Sequence, residues 1–270
     1  MPSDATATGL YRLNTADWTM DRSLMIQMQG FGEPYDTPCP FYLVEHPEGT
    51  VAFDTGVSRE LFQDPASYGP EGAAHMADFE PAVDIGPERE PAALLDEIGY
   101  EPADVDVVVM SHLHTDHAGN IDAFPEAEIV VQQAELDYAR DPVAPAQGIF
   151  YLGGDLAALE EADVTTVEGS YDVFGDGSVR TMSTPGHSPG HQSLRVELPD
   201  AGTVIIAGDI ANLRAGYESE FMPAFTWSLD DAVRSVRAVR EEAEASDADV
   251  FIHHDRDDQA RLPDPPAKLE

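Results

Sequence analysis

The chain has 270 residues, of which 52 are Asp or Glu and 14 are Lys or Arg, so that its formal net charge at pH 7 is −38. This length is enough to bury the core of a globular protein, and no apolar run reaches the roughly 18 residues of a membrane span. The charge argues against nucleic-acid partners, because a phosphate backbone is bound by a basic surface.

The first part of the chain is predicted to contain strands followed by a helix. Strands are expected near residues 9–14, 41–45 and 51–54. A helix is expected to open at Pro91, since proline is tolerated in the first helical turn, and to stop at Gly99. Three apolar residues share one face of this helix: Leu94, Leu95 and Ile98.

The most informative stretch follows the β-branched run of residues 105–110, which predicts a buried central strand. Where this strand ends, four ligand-type side chains occur within six residues: His112, His114, Asp116 and His117. A lone histidine is more often a surface or core residue than a ligand, but such a cluster predicts a metal site. The two histidines of the extended segment are placed to bind one ion, and the Asp-His pair on the next turn a second ion.

Three later segments carry further residues of the ligand type. A turn rich in proline and glycine contains His187 and His191. A second apolar strand ends at Asp209, and a third ends at the pair His253 and His254. Together these segments predict a dinuclear site with mostly nitrogen and some carboxylate ligands. Such a donor set favours zinc and leaves manganese, iron and cobalt open.

The second part of the chain is predicted to add a further group of strands and a long helix. Strands are expected around Val173 and at residues 179–184, 194–198 and 204–207, and a helix is expected to start at Ser228. Its buried stripe is formed by Ala232, Val233, Val236 and Val239. Its exposed face carries three arginines that are expected to pair with nearby carboxylates rather than bind a ligand: Arg234, Arg237 and Arg240.

The pattern His-x-His-x-Asp-His that begins at His112 is the signature of the metallo-β-lactamase superfamily, which the sequence resembles. The run Asp54-Thr55-Gly56 resembles the early turn of that superfamily. Within it, residues 97–102 and 185–194 look most like the N-acyl-homoserine lactonases, quorum-quenching enzymes that open a signal lactone. The resemblance implies an α/β fold, a four-layer αββα sandwich with the site in the cleft between the sheets. It also implies a single domain built from two similar halves, approximately residues 1–160 and 161–270.

The resemblance further implies two groups of metal ligands that share a bridging Asp209. One group is His112, His114 and His187, and the other is Asp116, His117 and His254. His191 matches a position that is usually not a ligand and is expected to be structural. His254 is favoured over His253 because it precedes Asp255, as in the family. Asp54 is expected either to orient a metal-bound imidazole or simply to form the turn.

The resemblance also concerns the substrate and the reaction. A hydroxide that bridges the two ions would attack the lactone carbonyl, and Asp116 is the catalytic residue expected to carry a proton to the leaving oxygen. The family places a tyrosine three residues after the bridging aspartate, and here Asn212 stands there, a shorter hydrogen-bond donor. Asn212 and Tyr217 are therefore both candidate substrate-binding residues. Cys39, the only cysteine, is expected to be packed rather than nucleophilic.

Two segments are candidates for the walls of the substrate pocket, because binding specificity often resides in loops on a rigid frame. They are residues 20–35 and 61–83. Aromatic and methionine side chains in them would line an acyl-chain groove or merely pack: Phe31, Tyr35, Tyr68, Met76 and Phe79. The histidines His46 and His75 are expected at the surface.

Other functions remain open at this stage. The same site would serve another ester, a thioester as in glyoxalase II relatives, or a β-lactam. A di-iron redox protein or a non-catalytic binding module belongs to a different class. Di-iron relatives typically have Glu at the position of His114 and a flavin domain, and a binding module should have lost ligands, whereas all seven ligand positions are occupied here. The acidic surface, with Lys268 as the only lysine, predicts adaptation to high salt. A cytoplasmic location, a small-molecule substrate, no membrane partner and a homodimer complete the expectations.

Overall fold

Two β-sheets form the centre of the molecule, which the computed structural model describes for residues 6–70, 74 and 83–270. Within these residues the first sheet has seven strands, and its neighbours are, in order, β4 (Val83–Asp84), β1 (Gly9–Asp21), β2 (Pro34–His46), β3 (Gly49–Phe53), β5 (Val107–Val109), β6 (Glu128–Gln132) and β7 (Asp163–Val167). Strands β3, β5, β6 and β7 are parallel to one another. The pairs β4–β1, β1–β2 and β2–β3 are antiparallel.

The second sheet has four strands within the described residues. In spatial order they are β11 (Asp249–Phe251), β10 (Gly202–Ile206), β9 (Gln192–Leu198) and β8 (Val179–Ser183). Strands β10 and β11 are parallel, and the remaining pairs are antiparallel. A parallel pair in each sheet therefore delivers consecutive strand ends to the same edge.

The helices lie in the connections between these strands. They are α1 (Arg22–Met25), α2 (Glu60–Gln63), α3 (Pro91–Glu97), α4 (Thr115–Ala118), α5 (Gln133–Arg140), α6 (Pro145–Gly148), α7 (Gly153–Glu161), α8 (Arg214–Ser219), α9 (Leu229–Ser246) and α10 (Arg256–Gln259). Short 3₁₀ turns occupy Pro65–Tyr68, Pro87–Arg89, Pro102–Asp104, Ile121–Ala123 and Gly208–Ile210. In the part of the chain that the structure describes, none of the helices has the length and apolarity needed to cross a bilayer.

Alternation of side chains along the strands builds three apolar layers. Between the sheets, Tyr42 and Val130 of the first sheet pack with Val196 and Ile206 of the second. The neighbours of Tyr42 and Val130 along their strands point to the opposite face, where the first sheet packs against α3, α5 and α7. The outer face of the second sheet, including Ile205, packs against α9 in the same way. The order helix, sheet, sheet, helix confirms the predicted four-layer αββα fold.

Helix α9 forms as its sequence predicts. The Ser228 side chain accepts a hydrogen bond from the Asp231 N–H and caps the helix. The buried stripe faces the second sheet, although Val233 is only partly buried. The arginines of the opposite face pair with carboxylates, because Arg234 contacts Asp231 at 2.5 Å and the other two contact Glu220.

Some boundaries differ from the sequence predictions. Strands β1 and β2 each run for 13 residues and are longer than expected. No strand forms at Val173; only an isolated bridge joins Asp172 to Arg180, because the chain turns through Gly175 and Gly177 with positive φ. The first sheet also extends beyond residue 160, since β7 pairs with β6.

The prediction that His46 lies at the surface is wrong. Its ring stacks on Phe174, with the ring centres 4.0 Å apart, and its Nε2 lies 3.1 Å from Asp176 Oδ2. The Glu48 N–H donates to its Nδ1 at 3.1 Å. The ring is buried because the loop before β8 folds over the end of β2. His75, Met76 and Phe79 lie outside the described residues.

Candidate metal centre

The His-rich loop directly follows β5, and its backbone explains how two histidines reach one site. Leu113 is buried in the core against the helices, so the flanking His112 and His114 point the other way. His114 then precedes the first turn of α4, which carries Asp116 and His117. All three histidines are buried, and Asp116 is partly exposed.

Asp209 reaches the same place from the end of β10 through a glycine turn. Gly208 has φ +60°, and a Cβ there would lie 2.6 Å from His191 Nε2. This close approach allows His191 Nε2 to accept a hydrogen bond from the Asp209 N–H at 2.8 Å. His191 Nδ1 lies 3.0 Å from the Thr184 carbonyl oxygen, to which it donates. His191 is therefore committed on both nitrogens, in keeping with a structural role.

The structure brings together all seven side chains that the sequence analysis assigned to metal. His187 Nε2 lies 3.0 Å from His114 Nδ1, and His112 belongs to the same group, whose ligand atoms lie within 4.8 Å of one another. On the other side, His117 Nε2 lies 3.3 Å from His254 Nε2. The histidines thus form two adjoining groups, and His112 also lies within 4.8 Å of ligand atoms of His117 and Asp209.

Asp209 lies between the two groups and faces both. Its Oδ2 is 3.4 Å from His187 Nε2. Its Oδ1 is 3.4 Å from His117 Nε2 and 3.3 Å from His254 Nε2. Asp116 joins the second group, with its Oδ2 3.5 Å from His254 Nε2 and 3.7 Å from His117 Nε2. Asp209 thus presents one carboxylate oxygen to each group of histidines, which is what a ligand that bridges two ions must do.

These separations fit shared ions better than direct hydrogen bonds. Charged N–H···O⁻ bonds are about 2.7–2.9 Å long. By contrast, two ligand atoms about 2.0–2.1 Å from one ion, at the tetrahedral angle, lie about 3.3 Å apart. In addition, the buried His112 Nε2 has no hydrogen-bond partner. The residues present therefore fit a dinuclear metal centre.

Most of these imidazoles are held by a hydrogen bond on the nitrogen that faces away from the site. His117 Nδ1 lies 2.8 Å from Asp54 Oδ2, His254 Nδ1 lies 2.7 Å from the Pro38 carbonyl oxygen, and His114 Nε2 lies 3.2 Å from Gln147 Oε1. Each of these partners accepts a hydrogen bond from the ring N–H, which leaves the lone pair of the other nitrogen directed at the site.

Asp54 combines the two roles between which the sequence left a choice. It has a left-handed backbone, with φ +64°, which is uncommon outside glycine. Its Oδ1 accepts from the Ser111 N–H at 2.6 Å while its Oδ2 faces His117. The next residue, Thr55, binds the His117 carbonyl oxygen through both its N–H and its hydroxyl. The turn therefore fixes α4 as well as one imidazole.

The two groups differ in electrostatics. Burial lowers the pKa of His187 to about 4, although Asp209 acts against this shift. Burial likewise lowers the pKa of His112 and His114 well below its ordinary value. For His117, burial also acts to lower the pKa, but the surrounding carboxylates, first that of Asp209, raise it well above its ordinary value. One group is thus nitrogen-rich and neutral, and the other is rich in carboxylates.

A narrow pocket opens onto Asp116, Asp209 and Asn212. Its remaining lining combines apolar and hydroxyl side chains with two of the histidines, namely Trp18, Met20, Met25, Thr37, His114, Thr115, Phe150, Phe225 and His254. Met20 and Met25 come from one of the two segments that were expected to form walls. Among the individual side chains expected there, Phe31 is 70% exposed, and Tyr68 packs in the core cluster that also contains Trp18 without lining the pocket itself.

Asn212 and Tyr217, the two candidates for substrate binding, have different positions. Asn212 is buried at the pocket, and its Oδ1 has no hydrogen-bond partner. Tyr217 lies in the core beneath α9, with Arg214 and Arg240 on its ring at 5.2 and 5.0 Å from the ring centre. The structure does not bring Tyr217 to the pocket.

Comparison with known proteins agrees with this geometry. From residue 34 to residue 260, the chain matches the metallo-β-lactamase superfamily. The chain belongs to this superfamily. It is 38% identical, over 85% of its own length and 86% of the relative's, to the N-acyl homoserine lactonase AttM of Rhizobium radiobacter. An N-acyl homoserine lactonase from a Bacillus species is 30% identical over 93% of this chain and 94% of its own length.

Among solved structures, the fold of this superfamily member is similar to that of an N-acyl homoserine lactone hydrolase. That protein was solved with the product N-hexanoyl-L-homoserine bound at its catalytic metal centre. The TM-score is 0.83 and the sequence identity 26%, with 98% of this chain and 100% of that chain covered. Together with the curated relatives, this similarity extends over nearly the whole chain.

Two polar residues near the metal centre of this superfamily member were not found from the sequence. Glu135 is fully buried in α5, directly behind the His-rich loop. Gln147 contacts His114 through Oε1 and the His187 carbonyl oxygen through Nε2, at 3.2 and 3.3 Å. Glu135 looked like an ordinary polar residue of an amphipathic helix, and Gln147 lies in a segment without periodicity. No local pattern distinguishes either residue.

Cys39 is fully buried, as expected of a packed residue. Its Sγ lies within 4.8 Å of ligand atoms of Asp116 and His254. Burial, and then the charges of nearby carboxylates, raise the pKa of the thiol well above its ordinary value. The group is therefore a neutral thiol and not an activated nucleophile.

His253 is predicted not to be a ligand. It is buried, its ring packs against His117 and Tyr42, and one of its nitrogens lies within 4.8 Å of ligand atoms of His117 and His254. It is His254, however, whose Nε2 lies 3.3 Å from Asp209 Oδ1 and 3.5 Å from Asp116 Oδ2, and neither nitrogen of His253 has a hydrogen-bond partner. Exchange of His253 for Leu should therefore leave the metal content unchanged and alter the free energy of unfolding by 0 to about +3 kcal/mol, since an unpartnered buried polar group is costly. His191→Leu, which removes two hydrogen bonds, is the control and should destabilise. Loss of an ion in the His253 variant would contradict this prediction.

Proposed function

We propose that this protein is a dinuclear metal hydrolase that opens the lactone ring of N-acyl homoserine lactones, with zinc as its metal. The observation that carries the proposal is the position of Asp209 between two groups of histidines, at 3.3–3.4 Å from each. Supporting it, the relatives with identities of 38% and 30% over most of the chain are N-acyl homoserine lactonases. The proposed substrate rests on these relatives, and the proposed type of reaction rests on the geometry of the site.

The proposed ligands are His112, His114 and His187 for one ion, Asp116, His117 and His254 for the other, and Asp209 for both. Five imidazoles and two carboxylates are a donor set that suits zinc. Asp54 and Glu135 lie behind these ligands, and each contacts at least one of the loops that carry them. When bound, such ions supply a water of lowered pKa and polarise a carbonyl group.

The chain's own residues account for orientation and proton transfer. Asp116 faces the pocket and is partly exposed, so its carboxylate is the group proposed to take up a proton from the attacking water and to pass it to the ring oxygen as the ester bond breaks. Asn212 is proposed to donate a hydrogen bond from Nδ2 to a substrate carbonyl. Asp54 and Gln147 accept hydrogen bonds from His117 and His114. These bonds fix the tautomers in which the unprotonated ring nitrogen faces the site.

The walls of the pocket suit a substrate with an apolar chain. Trp18, Met20, Met25, Phe150 and Phe225 surround the opening, and methionine side chains adapt to irregular apolar shapes. An acyl chain would bury apolar surface there while the lactone ring faces Asp116. This arrangement separates the reacting ring from the part of the substrate that supplies binding energy.

The proposal is tested by a substrate panel on protein reconstituted with Zn²⁺. The hydrolysis of N-hexanoyl and N-decanoyl homoserine lactones, a thioester and a β-lactam is compared at equal substrate concentration. The rate is measured from the acid that is released. We expect hydrolysis of the homoserine lactones with the highest kcat/KM. Turnover of the thioester or the β-lactam without lactone turnover would reject the proposed substrate. Fewer than two ions per chain at saturation would reject the dinuclear site.

Adaptation to high salt forms part of the proposal. Raising KCl from about 0.1 M to about 1 M shortens the Debye length from about 10 Å to about 3 Å. Because the chain has 52 acidic residues and only 14 basic ones, screening of the repulsion between carboxylates should stabilise the fold. Each kcal/mol added to the free energy of unfolding should raise Tm by about 2–4 °C. Thermal unfolding at several KCl concentrations measures this effect, with sucrose as an uncharged control. A Tm that does not increase with KCl would contradict the prediction.

A further inference from the structure

A second buried carboxylate lies behind the metal centre, beside the ligand group that Asp54 does not contact. Glu135 belongs to α5 and has no solvent exposure. Its Oε1 accepts from the Leu113 N–H at 3.0 Å and from the Tyr151 hydroxyl at 2.9 Å. Its Oε2 accepts from the Ser188 hydroxyl at 2.6 Å and from the Gly190 N–H at 3.0 Å.

These four partners match an ionised carboxylate. The Leu113 and Gly190 N–H groups can only donate, one to each carboxylate oxygen, and the two hydroxyls are free to donate as well, so all four bonds suit the charged form. Burial raises the pKa of Glu135, and the hydrogen bonds act against this shift because they favour the charged form. Gly190 is required for the contact, because a Cβ there would lie 2.3 Å from the Glu135 nitrogen.

Three of the four partners of Glu135 belong to the two loops that carry one group of ligands. Leu113 lies between His112 and His114, and Ser188 directly follows His187. The ring of Tyr151, the fourth partner, contacts His114 with the ring centres 4.8 Å apart. None of these four hydrogen bonds involves His117 or His254. The side chain thus connects the segment from His112 to His114 with the turn at His187. His114 and His187 are 73 residues apart in sequence.

We propose that Glu135 is a positioning residue that presets the His112, His114 and His187 group for its ion, as Asp54 presets His117 for the other ion. The proposal rests on the dinuclear site proposed above. Each half of the centre then has its own buried carboxylate, and each carboxylate governs the affinity of one ion. Without Glu135, the two loops would keep the contacts of Gln147 with His114 and with the His187 carbonyl oxygen but would lose the bonds to the carboxylate. The metal itself would then have to supply more of their order, and part of the binding energy would be lost.

Glu135→Gln tests this inference, and Asp54→Asn is the matched variant for the other half. Both exchanges keep the shape of the side chain and remove one charge. Chelator competition with Co²⁺ measures the two dissociation constants, and the ¹¹³Cd NMR spectrum of cadmium-loaded protein reports each ion separately. We expect Glu135→Gln to weaken one ion by about 10–100-fold. Asp54→Asn should weaken the other ion by a similar factor.

A double-variant cycle identifies the ion concerned. His187→Ala removes a ligand of the first group, so adding Glu135→Gln to it should change the remaining affinities little, whereas adding Asp54→Asn should weaken the second ion as before. Should Glu135→Gln fail to fold, Tyr151→Phe and Ser188→Ala each remove a single donor and should weaken the same ion less strongly.

The outcomes separate the inference from the proposed function. The positioning role would be overturned if Glu135→Gln weakened the binding of both ions equally. It would also be overturned if Glu135→Gln, Tyr151→Phe and Ser188→Ala all left the metal affinities unchanged. Wild-type protein that binds two ions but hydrolyses no lactone would reject the proposed substrate and leave the positioning role standing. Wild-type protein that binds a single ion would reject the dinuclear site itself.

Discussion

Replacement of Asp209 by asparagine is expected to remove metal binding and hydrolysis together. Asp209 presents one oxygen to His187 and the other to His117 and His254, all at 3.3–3.4 Å. An amide keeps the size of the side chain but loses the charge and offers only one oxygen, so it cannot serve both groups. Loss of a residue that merely contacts a ligand costs about 10–100-fold in affinity, and removal of a bridging ligand should cost at least that for both ions.

The measurement is metal content after gel filtration, together with kcat/KM for N-hexanoyl homoserine lactone. Asp96→Asn, at an exposed position of α3, removes a charge far from the site and is the control. It should leave both quantities unchanged. If Asp209→Asn retained two tightly held ions, Asp209 would not be the bridging ligand, and the proposed division into two groups would have to be redrawn.

Much of the fold and the ligand set could be predicted because the relevant signals are local. The β-branched run before His112 identifies a buried strand, and Asp209 and His254 each follow another apolar strand. In a sheet whose strands run parallel, such strand ends meet at one edge. The structure brings these residues together for that reason, and the hydrogen bonds of His191 agree with its predicted structural role.

Other features depend on contacts that no local pattern encodes. Glu135 is separated by 53 residues from Ser188, which donates to it, and it becomes a buried residue only when the two loops close over α5. His46 is covered by Phe174 and Asp176 from a loop 130 residues away. Tyr217 was considered because it lies close to Asn212 in sequence, but the turn into α8 directs its ring to the core beneath α9. In each case tertiary packing decides the environment of the side chain.

Asp116→Asn is expected to lower kcat/KM for lactones by about 10²–10⁴-fold, the usual contribution of a general acid. Asp116 lies 3.5 Å from His254 Nε2 at the edge of the centre and is partly exposed to the pocket. Asparagine keeps an oxygen toward the metal group but cannot transfer a proton. Metal content should therefore decrease less than activity does, because six of the seven proposed ligands remain intact.

The leaving group distinguishes proton delivery from metal binding by Asp116. Opening a lactone releases an alkoxide, which requires a proton, whereas opening the matching thiolactone releases a thiolate, whose conjugate thiol has a pKa of about 8.5. If Asp116 protonates the leaving atom, Asp116→Asn should slow hydrolysis of the lactone far more than that of the thiolactone. If Asp116 only holds an ion, both rates should decrease by the same factor and in proportion to the metal lost. Parallel measurements of kcat on both substrates, with metal content determined on the same samples, decide between these two roles.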